Sequence, residues 1–195
     1  MTRKVRADAV GNRAHLVATA RAAFAADGVD LPMREIARRA GLAVATLYRH
    51  FPTRTDLIGA ALAEHVAACR AGMRTAESEP DAWLALSSAI RWFAEHQIRA
   101  PGLNAALFGP HATVFHDDRL AQSAALERLV ARAQRDNALR PGVSVADVRV
   151  ALMAISSLRP TRPAAVRMVL DLLLEGLRSP GAGGMPRTPG PARYN

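Results

Sequence analysis

Glycine and proline residues divide this chain into segments of helix length, and this division constrains its fold more than any other feature. The breaks fall at Gly28, at Gly41, at Pro52 and at the Pro-Gly pairs 101–102 and 141–142. Between them, apolar residues recur at three- and four-residue intervals, as on one face of a helix. Alanine and leucine favour helices, whereas the aromatic residues that favour strands make up only 5% of the chain. We therefore predict an all-α fold with about nine helices and no strands.

The predicted helices follow these breaks, and several carry capping residues. They cover about residues 11–27, 32–40, 43–51, 54–75, 81–99, 103–109, 118–137, 145–157 and 162–178. Four helix starts have a predicted N-cap: Thr53 with Asp56, Asp117 or Asp118, Ser144 with Asp147, and Thr161. We predict three regions: a DNA-binding domain at 1–52, a ligand-binding and dimerisation domain at 53–178, and a disordered tail rich in Pro and Gly at 179–195.

The positive charge is concentrated near the start of the chain. Residues 1–56 carry ten Arg or Lys and five Asp or Glu, so they hold +5 of the net charge of +9. Such a basic segment predicts an anionic partner, either nucleic acid or an acidic membrane surface. No run of about 18 apolar residues and no secretory signal is visible, and Cys69 is the only cysteine. We therefore expect a cytoplasmic protein without a disulfide or a membrane span.

Two short predicted helices joined at residues 40–42 have the proportions of a helix-turn-helix. Gly41 allows the chain to reverse within three residues, and Ile36, Leu47 and Phe51 would lock the helices together. The residues left exposed on the second helix are Ala43, Val44, Ala45, Thr46, Tyr48, Arg49 and His50. From spacing alone, an ordinary helical hairpin with a solvated polar face remains an equal alternative.

Residues 33–57 resemble the signature of TetR-family transcription regulators. The resemblance depends on Ile36-Ala37, Ala40-Gly41, Thr46-Leu47-Tyr48, His50-Phe51 and Thr53. The segment with Ala20 and Phe24 before Gly28 is similar to the family as well. The rest of the chain resembles the family in its helix count and, more loosely, the SbtR-like subgroup. The resemblance implies a homodimeric regulator that binds a palindromic DNA operator and responds to a small-molecule effector.

The resemblance also implies a role for each exposed residue of the helix-turn-helix. Thr46, Tyr48 and His50 contact phosphates, and Arg54, where the family usually has Lys, pairs with a phosphate. Residues 43–45 and 49 face base edges. Arg34 and Arg38, and the arm with Arg3, Lys4 and Arg6, are predicted to add contacts to the backbone or the minor groove. For the arm, a solvated end that contacts nothing remains an alternative.

The base-facing residues of this chain are unusually apolar. Ala43 stands where the family commonly has a Ser or Thr cap, and Ala43, Val44 and Ala45 can contact only thymine methyl groups. Arg49 is therefore predicted to make most of the hydrogen bonds to bases, with guanine as its expected partner.

The last two predicted helices are apolar around most of their circumference, which predicts burial on two sides. A dimer interface accounts for this, while a monomer core is the alternative. The residues predicted for the interface are Val148, Leu152, Ile155, Val169, Leu172 and Leu173. Family resemblance implies that the same helices pair with their copies in a four-helix bundle.

The resemblance implies a small-molecule pocket within the helices that follow the helix-turn-helix. Its predicted residues are large or polar side chains in apolar surroundings: His65, Cys69, Trp92, His96, Phe108, His111, Phe115 and Met153. They predict a hydrophobic or aromatic ligand. For each of them alone, core filling is the commoner explanation.

Other classes of function have less support. The cysteine and histidines show no recognised metal-ligand spacing, and no serine lies in a glycine elbow, so we predict neither a metal, nor a cofactor, nor an enzyme. A small helical enzyme using histidines is one alternative. The other is a basic protein that binds nucleic acid or membrane surfaces without sequence preference.

Overall fold

The computed structural model describes residues 2–99, 102–103, 112–157 and 163–180. Within these ranges the chain forms eight α-helices and one 3-10 helix, and no strand, which confirms the predicted all-α fold. The α-helices are α1 (Thr2–Asp27), α2 (Met33–Arg39), α3 (Val44–His50), α4 (Arg54–Ser78), α5 (Ala82–Arg99), α6 (His116–Arg135), α7 (Val145–Ser157) and α8 (Pro163–Leu177). The 3-10 helix, Ala112–Phe115, leads directly into α6.

The first apolar core joins α1, α2, α3 and the first four turns of α4. Its fully buried large side chains include Leu16, Phe24, Ile36, Leu47 and Phe51. The core continues into α4 as far as Cys69. It therefore crosses residue 53, where the sequence predicts a domain boundary, and the first part of α4 packs with the helix-turn-helix.

The second apolar core joins α5, α6, α7 and α8. Leu86 and Ile90 of α5 pack here with Leu129 of α6, while α4 contributes Ala76. Helix α6 ends in a Schellman-type motif at Asn137, which has a φ of 54°. In this motif Ala138 N donates to Ala133 O at 2.8 Å. A single antiparallel bridge between Leu139 and Arg178 then ties this turn to the end of α8.

Helix boundaries depart from the sequence prediction at two helices. α1 begins at Thr2 rather than at residue 11, because Arg, Lys and Ala between these positions are good helix formers although they lack an apolar stripe. α4 continues to Ser78, one turn beyond the predicted end, and stops just before Pro80. A segment without amphipathic pattern is therefore helical, which periodicity alone cannot detect.

Two of the predicted N-caps are confirmed and one is wrong. Thr53 and Asp56 form a capping box, and Ser144 with Asp147 makes the same reciprocal bonds. Asp117 and Asp118 do not cap α6, because the preceding 3-10 helix leads into it without a break and leaves Phe115 at the N-cap position. Both carboxylates lie in the first turn instead, where their negative charge interacts favourably with the positive end of the helix dipole.

The structure corrects part of the predicted dimer interface. Val148 and Ile155 are buried in the second core of the same chain, because they are two turns apart on the side of α7 that faces inward. Leu152, Val169 and Leu173 are half-buried, and Leu172 is exposed. A helix that is apolar around most of its circumference gives little signal of which side faces its own core, so the sequence could not separate these residues.

Several predictions concern residues outside the described ranges. They are Phe108 and His111, most of the predicted helix 103–109, the Thr161 cap, and the tail beyond Pro180.

Candidate nucleic-acid interface

The turn between α2 and α3 is closed by backbone hydrogen bonds and by a histidine. Gly41 has a φ of +65°, Leu42 N donates to Ala37 O at 3.0 Å, and Gly41 N donates to Arg38 O at 3.1 Å. These bonds form a Schellman motif, in which glycine is the residue best suited to the left-handed position. His15 of α1 adds a contact of 3.1 Å between its Nε2 and Ala40 O. The turn is thus fixed to α1, by a residue that no sequence pattern singled out.

The outward side of α3 carries the residues that the sequence assigns to DNA. Ala43, Val44, Ala45, Tyr48 and Arg49 are exposed, and we call these five residues the reading face. Thr46 and His50 are half-buried beside it. Ala43 is the N-cap and makes no side-chain capping bond, as expected from its lack of an oxygen. A short helix with small apolar side chains at its N-terminus is therefore presented to the outside.

Arg49 lies along its own helix rather than against another element. Its Nε is 3.3 Å from Ala45 O, and its Nη2 is 3.4 Å from Thr46 Oγ1. Contacts of this length are weak, so the guanidinium can leave them for a stronger partner. Arg34 of α2 is exposed as well, and no partner is found for it among the described residues. Both arginines are available to an external anion.

Other arginines near the helix-turn-helix are engaged in holding it together. Arg38 and Arg39 both donate to the Glu35 carboxylate, and Arg39 also pairs with Asp27 of α1 at 2.5 Å. The hydrogen bond from Arg38, followed in size of effect by the one from Arg39, lowers the pKa of Glu35 to about 2. Arg13 of α1 stacks over the Phe51 ring, with 4.9 Å between its Cζ and the ring centroid. These contacts connect α2 and the end of α3 with α1.

Arg54, the first residue of α4, contacts the protein itself. Its Nη2 donates to the backbone carbonyls of Val29 and Leu31, the latter at 2.8 Å. Both carbonyls belong to the loop between α1 and α2. The structure therefore gives this arginine two protein partners, whereas the sequence assigns it to a phosphate.

Four of the predicted pocket residues come together between α4 and α5. His65 and Cys69 are buried, and the rings of Trp92 and His96 stack with 3.5 Å between their centroids. The His65 and His96 ring centroids are 6.3 Å apart. We call these four residues the histidine–tryptophan cluster. Burial raises the pKa of the Cys69 thiol to about 11, so this sulfur is protonated and unreactive at neutral pH.

Gly72 of α4 explains how the Trp92 indole fits into this cluster. A Cβ at position 72 would lie 2.6 Å from the indole, so only glycine allows so close an approach. An isolated glycine within an amphipathic helix is a sequence signal for close packing, and it could have identified this site. The indole therefore fills the space beside α4 in this structure.

Two further pocket predictions have different outcomes. Phe115 is buried in the first core, where it packs with the α4 residues. Met153 is 63% exposed on the outer side of α7, so the prediction that it points into a pocket is wrong for the single chain. A groove of about 310 Å³ lies elsewhere, at the end of α4, and none of the predicted pocket residues lines it. Its lining residues are Glu77, Arg128, Leu129, Ala131, Arg132 and Arg135.

Two features that would point to other functions are absent from the described residues. No group of three or more His, Cys, Asp or Glu side chains in these ranges is placed to hold a metal ion. None of the helices described is long and apolar enough to cross a membrane.

Comparisons with known proteins agree with a regulator built around this helix-turn-helix. The family model for bacterial regulatory proteins of the tetR family matches residues 16–61. The model for the C-terminal domain of SbtR-like transcriptional regulators matches residues 79–179. No curated protein matches the chain.

Solved structures give the same result. A TetR transcriptional regulator from Streptomyces coelicolor is 32% identical, with 86% of this chain and 99% of that chain covered and a TM-score of 0.59. A TetR regulatory protein from Mycobacterium vanbaalenii is 33% identical, with 89% and 99% covered and a TM-score of 0.57. AibR, solved with isovaleryl coenzyme A and operator DNA, is 15% identical, with 85% and 97% covered and a TM-score of 0.69, so its likeness concerns the fold alone.

The helix-turn-helix and the larger helical region behind it define a DNA-binding regulator. The chain belongs to the TetR family of bacterial regulatory proteins, with an SbtR-like C-terminal domain. Members of this family are DNA-binding transcription regulators, some of which respond to ligands, and they are generally not enzymes.

Proposed function

We propose that this protein is a dimeric repressor that binds a palindromic operator and leaves it when a small hydrophobic or aromatic ligand binds. The observation that carries the proposal is the reading face of α3, exposed on a helix-turn-helix whose other sides are fixed to α1. Occlusion of a promoter needs no further partner, which favours repression over activation. Because the operator lies on the chromosome, the proposed location is the cytoplasm.

The proposed DNA contacts divide into two kinds. Thr46, Tyr48 and His50 bind phosphates, which orient the protein without reading sequence. Val44 and its alanine neighbours contact thymine methyl groups, and Arg49 donates to guanine. The weak intrahelical contacts of Arg49 support this role, since little is lost when it turns toward a base.

We propose that the exposed apolar face of α7 and α8 forms the dimer interface. This face consists of Val150, Met153, Met168 and Leu172, each of which is more than half exposed in the single chain. An exposed apolar surface of this kind is typical of an interaction site. A second copy of the same two helices, related by a two-fold axis, would bury it. Two copies of α3 would then read two half-sites a helical turn, or a multiple of it, apart. We assign DNA binding to residues 1–52 and ligand binding and dimerisation to 53–178.

The ligand site is proposed at the histidine–tryptophan cluster. An effector must open the space that the Trp92 indole fills, and the two imidazoles offer it polar contacts in apolar surroundings. The structure of AibR with isovaleryl coenzyme A shows that a protein of this fold binds a ligand with an aliphatic group. For this chain we propose an apolar or aromatic small molecule as the effector.

Helix α4 connects the two proposed sites. It begins beside the helix-turn-helix at Arg54 and carries His65 and Cys69 about 16–22 Å further along its axis. A ligand that prefers one position of α4 shifts the distance between the two reading faces. It weakens operator binding only by its difference in affinity for the two states, which is typically about 1–3 kcal/mol.

Selection of bound sites from random duplex DNA tests the proposal. We expect a palindrome that the protein binds about 10³-fold more tightly than scrambled DNA of equal length and salt. A basic protein without sequence preference would instead bind both duplexes alike and with the same salt dependence. Tyr48→Phe removes one phosphate contact and should weaken binding to all sequences equally.

The effector proposal is tested by thermal unfolding with a panel of aromatic acids and acyl-coenzyme A thioesters. Compounds that raise the unfolding temperature are then titrated against a fixed operator. We expect such compounds to weaken operator binding by about 5- to 150-fold. A compound that binds the wild type but not Trp92→Ala, and yet leaves operator affinity unchanged, would contradict the coupling.

A further inference from the structure

We propose that Arg54 is a positioning residue that holds the α1–α2 loop against the start of α4. The inference rests on the proposed function, because it concerns how operator binding is achieved. Its basis is one side-chain nitrogen: Nη2 donates to Val29 O and to Leu31 O. Both hydrogens of this nitrogen therefore serve the protein itself, while Nη1 and Nε keep the other three N–H groups of the guanidinium.

The two carbonyls show what the arginine supplies at this position. Within the described residues, no backbone N–H donates to Val29 O or to Leu31 O. Both belong to the turn that follows Gly28, which the Val29 side chain buries against the first core. Buried or half-buried carbonyls need a donor, and the guanidinium supplies one to both. The contact thus stabilises a loop that would otherwise lack internal hydrogen bonds at these positions.

The contact also links the two parts of the proposed mechanism. The loop runs directly through Pro32 into α2, and α2 fixes the turn before the reading face. Arg54 lies at the opposite end of α4 from Gly72, and the Thr53–Asp56 capping box holds its backbone. A movement of α4 therefore moves the α1–α2 loop, and α2 with it, through the Arg54 hydrogen bonds.

Lysine distinguishes the two roles of this position. The ammonium nitrogen of lysine is one bond closer to Cα than Nη2 of arginine, and it lacks the planar fork. Arg54→Lys keeps the charge that a phosphate needs but not the reach to the two carbonyls. Arg54→Gln removes both the charge and the reach.

The first measurement uses the full chain without DNA. We expect amide hydrogen exchange in residues 28–36 to be about tenfold faster in Arg54→Gln and in Arg54→Lys than in the wild type. Arg34→Gln, which removes an exposed arginine of α2 with no partner among the described residues, is the matched control and should leave this exchange unchanged. Equal exchange in the wild type and Arg54→Gln would overturn the proposal.

The second measurement is operator affinity as a function of salt. We expect Arg54→Lys to bind the operator about tenfold more weakly, with the wild-type salt slope. If Arg54 acted only through a phosphate contact in each half-site, Arg54→Lys would bind like the wild type, and Arg54→Gln would reduce the slope by about 1.8 for the dimer. That result would overturn the proposal while leaving the regulator function intact.

The two measurements separate this inference from the proposed function. If the wild type shows no operator preference, the proposed function fails, while the hydrogen exchange of residues 28–36 still decides whether Arg54 holds the loop. If the operator is bound and the exchange does not change, the function stands and the positioning role is wrong.

Discussion

Among the described residues, the surface of α3 and the surface of α7 and α8 both expose apolar side chains, and their composition differs. On α3, Val44 and Tyr48 are 40% and 46% exposed and have Ala43, Thr46 and Arg49 as neighbours. On α7 and α8, the four residues Val150, Met153, Met168 and Leu172 are 58–63% exposed. The first surface mixes small apolar groups with hydrogen-bond donors, whereas the second consists of large aliphatic and thioether side chains.

This difference indicates different partners. DNA presents phosphates and thymine methyl groups, so a surface that contacts it needs donors next to small apolar groups. Large aliphatic side chains gain most when another apolar surface covers them, as in the interface of a homodimer. Substitutions on each surface test this division, and the largest effect is expected on α8.

Leu172→Asp should prevent dimer formation while leaving the monomer folded. A carboxylate at this position would be buried twice in a two-fold interface, and we expect the dissociation constant of the dimer to rise by at least about 10³-fold. Sedimentation analysis of the wild type and the variant measures this change. Leu120→Asp is the control, because Leu120 is similarly exposed but lies on α6. Equal effects of the two substitutions would show that the face of α7 and α8 is not the interface.

Ile155→Ala should reduce the stability of each monomer instead. Ile155 is fully buried in the second core, so truncation leaves a cavity and lowers the free energy of unfolding by about 2–4 kcal/mol. Met153→Ala on the same helix should cost less than about 0.5 kcal/mol in a monomeric Leu172→Asp background. Chemical denaturation measures both values. A larger loss for Met153 than for Ile155 would mean that the inner and outer sides of α7 are reversed.

The two surfaces also show what the sequence could predict. Of the seven residues of this helix-turn-helix that were predicted to be exposed, five are exposed and Thr46 and His50 are half-buried. The prediction succeeded to this extent because Leu47 and Phe51 mark the inner side. On α7 apolar residues cover most of the circumference, so Val148 and Ile155 were assigned to the interface although they face the core. Helical periodicity identifies a face only where a polar side exists for comparison.

The features of the proposed sites also differ in how well the sequence could predict them. The capping box at Thr53 and the missing cap at Ala43 depend on local sequence, and both were predicted. The contacts of Arg54 and of His15 join residues about 25 positions apart, and no local pattern encodes them. The close packing of Trp92 against Gly72 is an intermediate case. The glycine within α4 was a visible sequence signal, but the sequence did not show that its partner is Trp92 of α5.

Arg49→Ala should reduce sequence discrimination more than overall affinity. Arg49 is the only residue of the reading face that can make two hydrogen bonds to a base, and each such pair contributes about 1–3 kcal/mol of discrimination. We expect the ratio of specific to scrambled operator affinity to fall by about tenfold or more. Arg38→Ala is the control, because Arg38 is engaged with Glu35 and should change this ratio little. An unchanged ratio for Arg49→Ala would mean that the base contacts lie elsewhere.

Ala43→Ser should stabilise the fold by about 1 kcal/mol, which is the smallest of these effects. Ala43 has the extended backbone of an N-cap, with φ of −64° and ψ of 141°, but its side chain cannot accept the N–H groups of the first turn. A serine hydroxyl at this position can accept one of them. Ala45→Ser is the control, because it makes the same chemical change inside the helix, where no capping bond is gained. Thermal unfolding should show a rise of about 2–4 °C for Ala43→Ser alone, and equal rises for the two variants would contradict the assignment of Ala43 as an unfilled cap.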